Sequence, residues 1–241
     1  MIVIPMAGLS SRFKNEGFET QKYMLEARGQ TLFDHSLMSF ERYFGSERFL
    51  FITLEEHKSE SFIRTRCHEM GITCYDVVQL TEQTLGQAHT VYLGIKAVSV
   101  CVDEPILVFN IDTFRPNFKM PKKFDVSAVD GYLETFIGSG KNWSNVLPRS
   151  TIDMTVKRTA EKQEISEYCC TGIYYFRSAE LFTSSFERSA TLDNNDCELY
   201  IAPLYNRLIE DGMDIRYTVI LREEVIFCGV PEEYYQFAGG K

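Results

Sequence analysis

The chain opens with MIVIPMAGLSSRF, an apolar run that ends in a turn able to bind an anion. Ala7 and Gly8 would let a ligand approach the main chain closely, and Ser10 and Ser11 offer N–H and O–H donors. Arg12 adds a guanidinium group that can hold a phosphate in a forked geometry. The turn therefore suits a triphosphate, although the same residues also fit a plain strand-to-helix turn with an exposed arginine.

Two more charged residues, Lys22 and Asp112, are candidates for the same chemistry. Asp112 follows an apolar run over 105–110 (PILVFN), a position that favours a metal ligand, while a turn or helix-cap role stays open. Lys22 lies in a loop, where a lysine is often only a solvated surface charge. The glycine spacing matches neither G-x-G-x-x-G nor G-x-x-x-x-G-K-[ST], which disfavours a Rossmann dinucleotide site and a P-loop NTPase.

The first half of the chain alternates between strand and helix patterns. Strands are predicted over 1–6, 48–54, 74–80 and 105–110, and helices over 32–44, 59–71 and 86–100. Units of this length predict a mostly parallel sheet with helices on both faces. Ligands of such sheets bind at the carboxyl ends of the strands, where the N-terminal turn and Asp112 would lie.

The second half lacks this alternation. Strands are predicted over 125–136, 145–156, 169–176, 215–221 and 225–228, and a helix over 199–211. No crossover helix is evident between the first two of these strands, and no repeat or flexible linker divides the chain. We therefore predict a single α/β domain over residues 1–241, with a mixed, mostly parallel sheet.

Composition limits the partners and the location. With 241 residues, 44% of them hydrophobic, the chain can bury a full core. Its net charge of -9 argues against nucleic acid as a partner, whereas a phosphorylated small molecule needs only a few local cations. The apolar runs are too short to span a membrane and the first residues lack the basic start of a signal peptide, so we expect a cytoplasmic protein with no membrane partner.

The seven cysteines are odd in number, scattered and without a C-x-x-C pair. This pattern supports neither a disulfide framework nor a zinc site, and it predicts reduced, mostly buried side chains. They are Cys67, Cys74, Cys101, Cys169, Cys170, Cys197 and Cys228.

Taken in order, these segments resemble the nucleotidyltransferases that make sugar nucleotides. The N-terminal signature is carried by Gly8, Arg12, Lys22 and Gly29. Further matching segments are LTEQTLGQAHTV (80–91), PILVFNID (105–112), ELYIAPLYNRLIEDG (198–212) and FCGVPEEYYQF (227–237). The segments DGYLETF (130–136), KNWSNV (141–146), AEKQEIS (160–166) and TGIYYF (171–176) resemble the subset found in capsule and cell-surface polysaccharide loci. The K-Y-M-L form around Lys22 resembles cytidylyltransferases that act on phosphorylated small molecules such as phosphoglutamine.

This resemblance implies a Rossmann-like, GT-A-like arrangement, with a nucleotide-binding half over 1–115 and an acceptor-binding half over 116–241. It implies a Mg2+- or Mn2+-dependent enzyme that joins an NTP, with CTP favoured, to a phosphomonoester and releases pyrophosphate. The acceptor would be a sugar 1-phosphate or an amino-bearing phosphate such as phosphoglutamine. A homodimer is also compatible with the resemblance.

The resemblance assigns roles to individual residues. Arg12 and Lys22 would be catalytic, and Asp112 would bind the metal. The nucleotide would be held by Met6, Ala7, Gly8, Leu9, Ser10, Ser11, Thr84, Gly86 and Gln87. The acceptor would be held by Glu134, Lys162, Gly172 and Glu198. Purely structural interpretations stay open: Lys162 ends a charged stretch that could be a solvated edge strand, Gly172 could mark a bulge, and Glu198 could begin a helix.

The chain departs from the family pattern around Lys22 and near its end. Gln21 and Tyr23 stand where prolines usually flank the lysine, which predicts a more mobile loop. Phe227 stands where many relatives have a second metal-binding aspartate, so the nucleotide phosphates, water or another acid such as Asp196 or Glu198 would complete the metal site.

Two alternatives to a nucleotidyltransferase follow. A nucleotide-sugar-dependent glycosyltransferase of related fold would normally show a D-x-D motif, whereas residues 110–112 read N-I-D. An NTP-binding regulator that has lost turnover would explain the aromatic residue at 227.

Overall fold

The apolar runs of the first half form the parallel side of a nine-stranded sheet in the computed structural model, which describes residues 1–192 and 198–239. The strands are β1 (Ile2–Pro5), β2 (Glu26–Ala27), β3 (Gln30–Thr31), β4 (Phe49–Leu54), β5 (Tyr75–Leu80), β6 (Ile106–Phe109), β7 (Thr113–Phe114), β8 (Gly131–Ile137), β9 (Ser144–Ser150), β10 (Thr155–Glu161), β11 (Tyr168–Phe176), β12 (Ile215–Ile220) and β13 (Ile226–Phe227). The α-helices are α1 (Ser11–Asn15), α2 (Leu32–Leu37), α3 (Glu60–Met70), α4 (Gln87–Ala97), α5 (Ala179–Leu192), α6 (Tyr205–Glu210) and α7 (Pro231–Ala238).

The sheet has the strand order β5-β4-β1-β6-β11-β8-β12-β10-β9. The pairs β5–β4, β4–β1, β1–β6 and β8–β12 are parallel, and the other neighbouring pairs are antiparallel. The prediction of a mixed α/β fold is confirmed, but the prediction of a mostly parallel sheet is wrong. Strands β8 to β11 follow one another without crossover helices, and short connections pair strands in opposite directions.

One predicted strand, 145–156, is in fact two strands joined by a turn. β9 ends at Ser150, and β10 begins at Thr155. The Ser150 hydroxyl accepts the Asp153 N–H at 3.1 Å, and Met154 has a φ of 56°, so the chain reverses there. The strand predicted over 125–136 is also shorter, because it starts only at Gly131 after a 3-10 turn over Val126–Ala128.

Four helical regions differ from the sequence prediction. The helix predicted over 32–44 breaks into α2 and a 3-10 segment, Met38–Tyr43, in which Phe40 has non-helical angles. The helix predicted over 199–211 contains a 3-10 turn, Ala202–Leu204, before α6. Helices α5 and α7 were not predicted. In α5 the buried residues Ala179, Phe182 and Phe186 recur at helical spacing, but serines and threonines between them weaken the pattern.

Helices cover both faces of the sheet, as predicted. Side chains of β1 alternate, since Val3 belongs to the apolar cluster that includes residues of α4, α5 and α6, while Ile2 and Ile4 belong to the cluster that includes residues of α2 and α3. Two separate apolar cores result. The parallel strands between them hold the carboxyl-end loops in place.

The six described cysteines are free, and four of them are buried, with Cys74 and Cys101 exposed. Cys197 lies outside the described residues. No helix in the described ranges combines the length and apolar character needed to cross a membrane.

Candidate active site

Two neighbouring cavities open at the carboxyl ends of β1 and β6. The first, of about 600 Å³, is lined mainly by residues 5–9, 83–87 and 110–112. The second, of about 510 Å³, is lined by Arg12 and by residues of the second half of the chain, among them Trp143, Lys162 and Phe227. Lys22 and Asp112 line both cavities, as do Leu9, Ser11, Gln87, Asn110, Glu198 and Tyr200. They therefore mark the place where the two cavities meet.

The N-terminal turn forms one wall of the first cavity. Met6, Ala7, Gly8, Leu9 and Ser11, all predicted to contact the nucleotide, line that cavity. A Cβ built on Gly8 would meet no described atom within 4 Å, so the space beside its main chain is open. A ligand can approach this stretch of backbone without displacing protein atoms.

Arg12 lies on the other side of the turn, in the first residues of α1. Its side chain is exposed and lines the second cavity rather than the first. Asp112 lines that same cavity, so the predicted cation and the predicted acid share one cleft. Arg12 was predicted to hold the triphosphate together with the turn, but its side chain lies on the side of the junction predicted for the acceptor.

The Lys22 and Asp112 side chains form an ion pair, with 2.5 Å between Nζ and Oδ2. Both are largely shielded from solvent, with side-chain exposures of 19% and 23%. Asp112 follows β6, and its carbonyl oxygen accepts the Cys228 N–H at 2.8 Å, which fixes the main chain. A lysine and an aspartate separated by 90 positions are thus brought together at the junction.

Ser10 is held differently from its prediction as a nucleotide ligand. Its hydroxyl donates to the Gln21 Oε1 atom at 3.1 Å and accepts the Lys22 N–H at 3.3 Å. Ser10 is absent from the lining of the first cavity and lines the second. Its hydroxyl is therefore engaged with the lysine loop rather than offered to a nucleotide.

Thr84, Gly86 and Gln87 line the first cavity opposite the turn. Gly86 has a φ of +125°, and a Cβ there would lie 2.6 Å from the Leu199 carbonyl oxygen, so this position requires glycine. The Gln87 amide donates a short hydrogen bond to Asn110 Oδ1. Gln87 thus connects the loop before α4 to the end of β6.

Three of the predicted acceptor residues line the second cavity: Lys162, Gly172 and Glu198. Lys162 Nζ lies 3.7 Å from Glu198 Oε2 and contacts the Tyr200 hydroxyl, which donates to the same carboxylate. Lys162 follows β10, which lies between β12 and β9 and is not an edge strand. Lys162, at the end of the charged stretch, therefore lines the cleft with a half-exposed side chain, while Lys157 and Arg158 are exposed outside it.

Gly172 fits its interpretation as a bulge, and its acceptor-binding role stays a prediction. The register of β11 on β8 shifts between Cys170 and Tyr174, which marks an irregularity in the strand. With a φ of +99°, Gly172 also packs against Asn110, since a Cβ would lie 2.7 Å from Asn110 Nδ2. The close neighbour is thus a protein side chain that itself lines the cleft.

Glu134 does not line either cavity, which corrects its prediction as an acceptor ligand. It is 3% exposed and forms an ion pair with Arg115, with 2.9 Å between Oε1 and Nε. Thr171 Oγ1 donates to the same oxygen at 3.1 Å. Because Glu134 lies on β8 inside the sheet, its carboxylate stabilises the interior rather than facing a ligand.

Sequence reasoning missed three polar residues of the second cavity: Ser144, Glu161 and Tyr200. The Ser144 hydroxyl donates a short hydrogen bond to Glu161, and burial raises the pKa of the Glu161 carboxyl. Glu161 directly precedes Lys162, so the matched segment AEKQEIS contained the signal. Strict alternation would place Glu161 and Lys162 on opposite faces of β10, but Lys162 has a φ of 52° and both residues line the cavity.

Phe227 occupies an aromatic cluster beside the junction. It pairs with Thr113 across β7 and β13, directly after Asp112. Its ring lies 4.5 Å from that of Trp143 and 5.6 Å from that of Phe136. Where a second carboxylate was expected, an apolar wall lines the second cavity.

Glu233 is a second acid near Asp112, but its hydrogen bonds indicate a structural role. It accepts the Gly229 N–H at 2.8 Å and the Val230 N–H at 3.3 Å, which caps α7. Burial raises the pKa of Glu233, and the nearby Asp112 charge adds to the increase in pKa.

The donor set fits a magnesium ion that takes most of its ligands from a substrate. Within the described ranges, no group of three or more histidines, cysteines, aspartates or glutamates could hold a metal ion without other ligands. Asp112 presents one carboxylate at the junction, and Mg2+ is commonly held by one or two carboxylates together with substrate phosphates and water. Asp196, the other acid considered for this site, lies outside the described residues.

The fold is shared with several solved enzymes. A nucleoside-diphosphate-sugar pyrophosphorylase structure from Vibrio cholerae RC9 is 47% identical, with a TM-score of 0.93, and the match covers 99% of this chain and 100% of that one. The inositol-1-phosphate CTP transferase from T. maritima is 15% identical, covers 99% and 94% of the two chains, and has a TM-score of 0.77. The UDP-glucose pyrophosphorylase from Acinetobacter baumannii is 13% identical, covers 98% and 91%, and has a TM-score of 0.69. No family model and no curated protein matches the chain.

Proposed function

The chain belongs to the nucleotidyltransferase family that makes sugar nucleotides, and from this premise we propose that it joins CTP to a small phosphomonoester and releases pyrophosphate. The carrying observation is the Lys22–Asp112 pair at the junction of the two cavities. One cavity opens between the N-terminal turn and residues 84–87. The other is lined by Lys162, Gly172 and Glu198, which were predicted to bind the acceptor. If each cavity holds one of the two substrates, their phosphates meet at this junction, where the bond between them would form.

The proposed step is a displacement at the α-phosphorus of the NTP. An oxygen of the phosphomonoester forms a bond to that phosphorus, the bond to the oxygen bridging the α- and β-phosphates breaks, and pyrophosphate leaves with the electron pair. The attacking oxygen is already anionic, so no general base is required. The protein has to align two anions and reduce their repulsion.

The residues around the junction are suited to that task. Lys22 carries the positive charge between the cavities and would contact the α-phosphate or the incoming phosphate. Arg12 and Lys162 line the second cavity and would hold the acceptor phosphate. The main chain of the N-terminal turn, with Thr84, Gly86 and Gln87 opposite, would hold the nucleotide.

Asp112 is the residue that would hold Mg2+ or Mn2+ in this proposal. When bound, such an ion neutralises charge on the phosphate oxygens. Lys22 pairs with the Asp112 carboxylate, and its ammonium group would be able to contact a phosphate if Asp112 held such a cation.

The acceptor is proposed to be a sugar 1-phosphate or an amino-bearing phosphate such as phosphoglutamine, used for capsule or cell-surface polysaccharide. Carboxylates of Glu161 and Glu198 and the indole of Trp143 line the second cavity. Carboxylates accept hydrogen bonds from hydroxyl or ammonium groups, and an aromatic ring packs against a sugar face or a cation. These groups support both acceptor classes. We also propose that the fold is of the Rossmann-like, GT-A-like type.

Pyrophosphate release measured with CTP, UTP, dTTP, ATP and GTP against a panel of phosphomonoesters tests the proposal. We expect release that requires both an NTP and an acceptor, and that is highest with CTP. Hydrolysis of UDP-sugars without pyrophosphate release would favour a glycosyltransferase. Tight NTP binding without turnover on any acceptor would favour a regulator, the alternative that Phe227 suggests.

A further inference from the structure

The loop that carries Lys22 is anchored on both sides of the lysine. Gln21 is 9% exposed and Tyr23 is 1% exposed. The predicted mobility of this loop rested on the absence of flanking prolines, but both flanking side chains are buried. The anchoring contacts explain how a loop without prolines can present a lysine in a defined position.

On the first side, one hydroxyl makes two contacts with the loop. The Ser10 O–H donates to Gln21 Oε1 at 3.1 Å, and Ser10 Oγ accepts the Lys22 N–H at 3.3 Å. A hydroxyl has one proton and two lone pairs, so both contacts can exist together. Ser10 thereby connects the N-terminal turn directly to the main chain of Lys22.

On the second side, a buried tyrosine fixes the residue after the lysine. Tyr23 OH lies 2.5 Å from Ser59 Oγ, and the Ser59 hydroxyl donates to the His57 carbonyl oxygen at 3.2 Å. Because the Ser59 proton is used for that carbonyl, the Tyr23 hydroxyl is the donor between them. Burial raises the pKa of Tyr23, which keeps the hydroxyl protonated.

The conformation of Ser10 itself indicates that these contacts are specific. Ser10 has a φ of 53° and a ψ of 31°, the left-handed region that favours glycine. A serine in this conformation is more strained than a glycine would be, but only the serine has a hydroxyl that can make the two hydrogen bonds to the lysine loop.

We propose that Ser10 and Gln21 are positioning residues for Lys22. Their hydrogen bonds hold the lysine main chain at a fixed distance from the N-terminal turn, so Nζ reaches the junction where it now meets Asp112 at 2.5 Å. Lysine has a long flexible side chain, and fixing its base reduces the freedom lost when Nζ contacts a phosphate. This inference rests on the proposed function, in which Lys22 acts on the phosphates.

The decisive variant is Ser10→Gly, because glycine accepts the observed φ but removes the hydroxyl. We expect kcat to fall about tenfold, the KM values for both substrates to change less than about twofold, and Tm to stay within about 2 °C. Ser61 is an exposed serine of α3, and Ser61→Ala serves as the control. This variant should leave kcat, KM and Tm unchanged.

Gln21 supplies a second test with a built-in rescue. Gln21→Ala removes the acceptor of the Ser10 O–H and should also lower kcat about tenfold. Gln21 has a φ of -64°, the value that a proline ring imposes, so Gln21→Pro should recover most of the lost kcat. The double variant Ser10→Gly/Gln21→Ala should be about as slow as Ser10→Gly alone, because that substitution already removes both hydrogen bonds of the Ser10 hydroxyl, including the one to Gln21.

Two results would overturn the inference. Wild-type kcat in Ser10→Gly and Gln21→Ala would show that Lys22 needs no such anchor. Multiplicative losses in the double variant, with no recovery in Gln21→Pro, would show that the residues act separately. If Lys22→Ala itself retained full activity, the proposed function of the site would fail instead, which separates the two outcomes.

Discussion

Lys22 Nζ lies 2.5 Å from Asp112 Oδ2, and this pair lines both cavities of the cleft. The two residues come from opposite ends of the first half of the chain, one from a loop and one from the end of β6. Their contact places a cation and a carboxylate where a nucleotide cavity and an acceptor cavity would meet. The proposed chemistry depends on this pair.

Lys22→Ala should lower kcat/KM by a factor of about 100 or more while the fold persists, because the lysine stabilises charge mainly in the transition state. Pyrophosphate release gives the rate, and circular dichroism gives the fold. Lys14→Ala removes an exposed lysine that lines neither cavity, and it is the matched control. An unchanged kcat/KM in Lys22→Ala would exclude this lysine from the mechanism.

Divalent-metal binding should respond in opposite directions to changes at the two members of the pair. Lys22→Met removes the cation that occupies Asp112, so Mn2+ should bind about tenfold more tightly without nucleotide. Asp112→Asn should weaken Mn2+ binding, and the exposed Asp103→Asn should leave it unchanged. Electron paramagnetic resonance of free Mn2+ measures these affinities. Equal affinities in wild type and Asp112→Asn would exclude Asp112 as a ligand.

Glu134→Gln should lower the free energy of unfolding by about 3 kcal/mol, because it removes the closer carboxylate partner of the buried Arg115 charge and leaves only the more exposed Glu224, 3.5 Å away. Urea unfolding measures this change. Glu210→Gln, which breaks an exposed pair with Arg207, should cost under about 1 kcal/mol. The acceptor KM of folded Glu134→Gln should match that of wild type. A raised acceptor KM with unchanged stability would instead restore Glu134 as an acceptor ligand.

Stability should depend on pH through Glu161. Burial raises the pKa of this carboxyl above its ordinary value of 4.5, so the folded protein keeps a proton that the unfolded chain releases. The resulting stabilisation is complete below the unfolded pKa and is lost as pH rises through the folded pKa. Glu161→Gln removes this titration.

The comparison is made by urea unfolding of wild type and Glu161→Gln at a series of pH values. Relative to the variant, wild type should lose free energy of unfolding as pH increases above 4.5. A difference that stays constant, or that moves in favour of wild type with rising pH, would contradict the assignment.

The sequence was most informative where burial alone determines structure. Apolar runs located β1, β4 and β6, because strands buried on both faces form continuous apolar stretches. The edge strand β5 was also located, although it is only partly buried. The direction of pairing was not visible in the same way. Periodicity reports which residues are buried but does not identify the neighbouring strand, so the antiparallel pairs around β11 were missed.

Part of the candidate site was also predictable from the sequence. Resemblance identified Lys22 and Asp112, and the structure brings them into contact. It also selected Glu134, whose burial against Arg115 depends on the sheet order and could not be read from local pattern. The role of Ser10 in holding Lys22 likewise depends on a contact between two loops.

A crystal structure of the protein with CTP and Mg2+ would show directly whether Lys22 and Asp112 contact the reacting phosphates. We expect a triphosphate between the N-terminal turn and residues 84–87, with its α-phosphate beside Lys22 and Asp112. A triphosphate bound elsewhere, with Lys22 and Asp112 still paired and remote from every phosphate, would contradict this expectation.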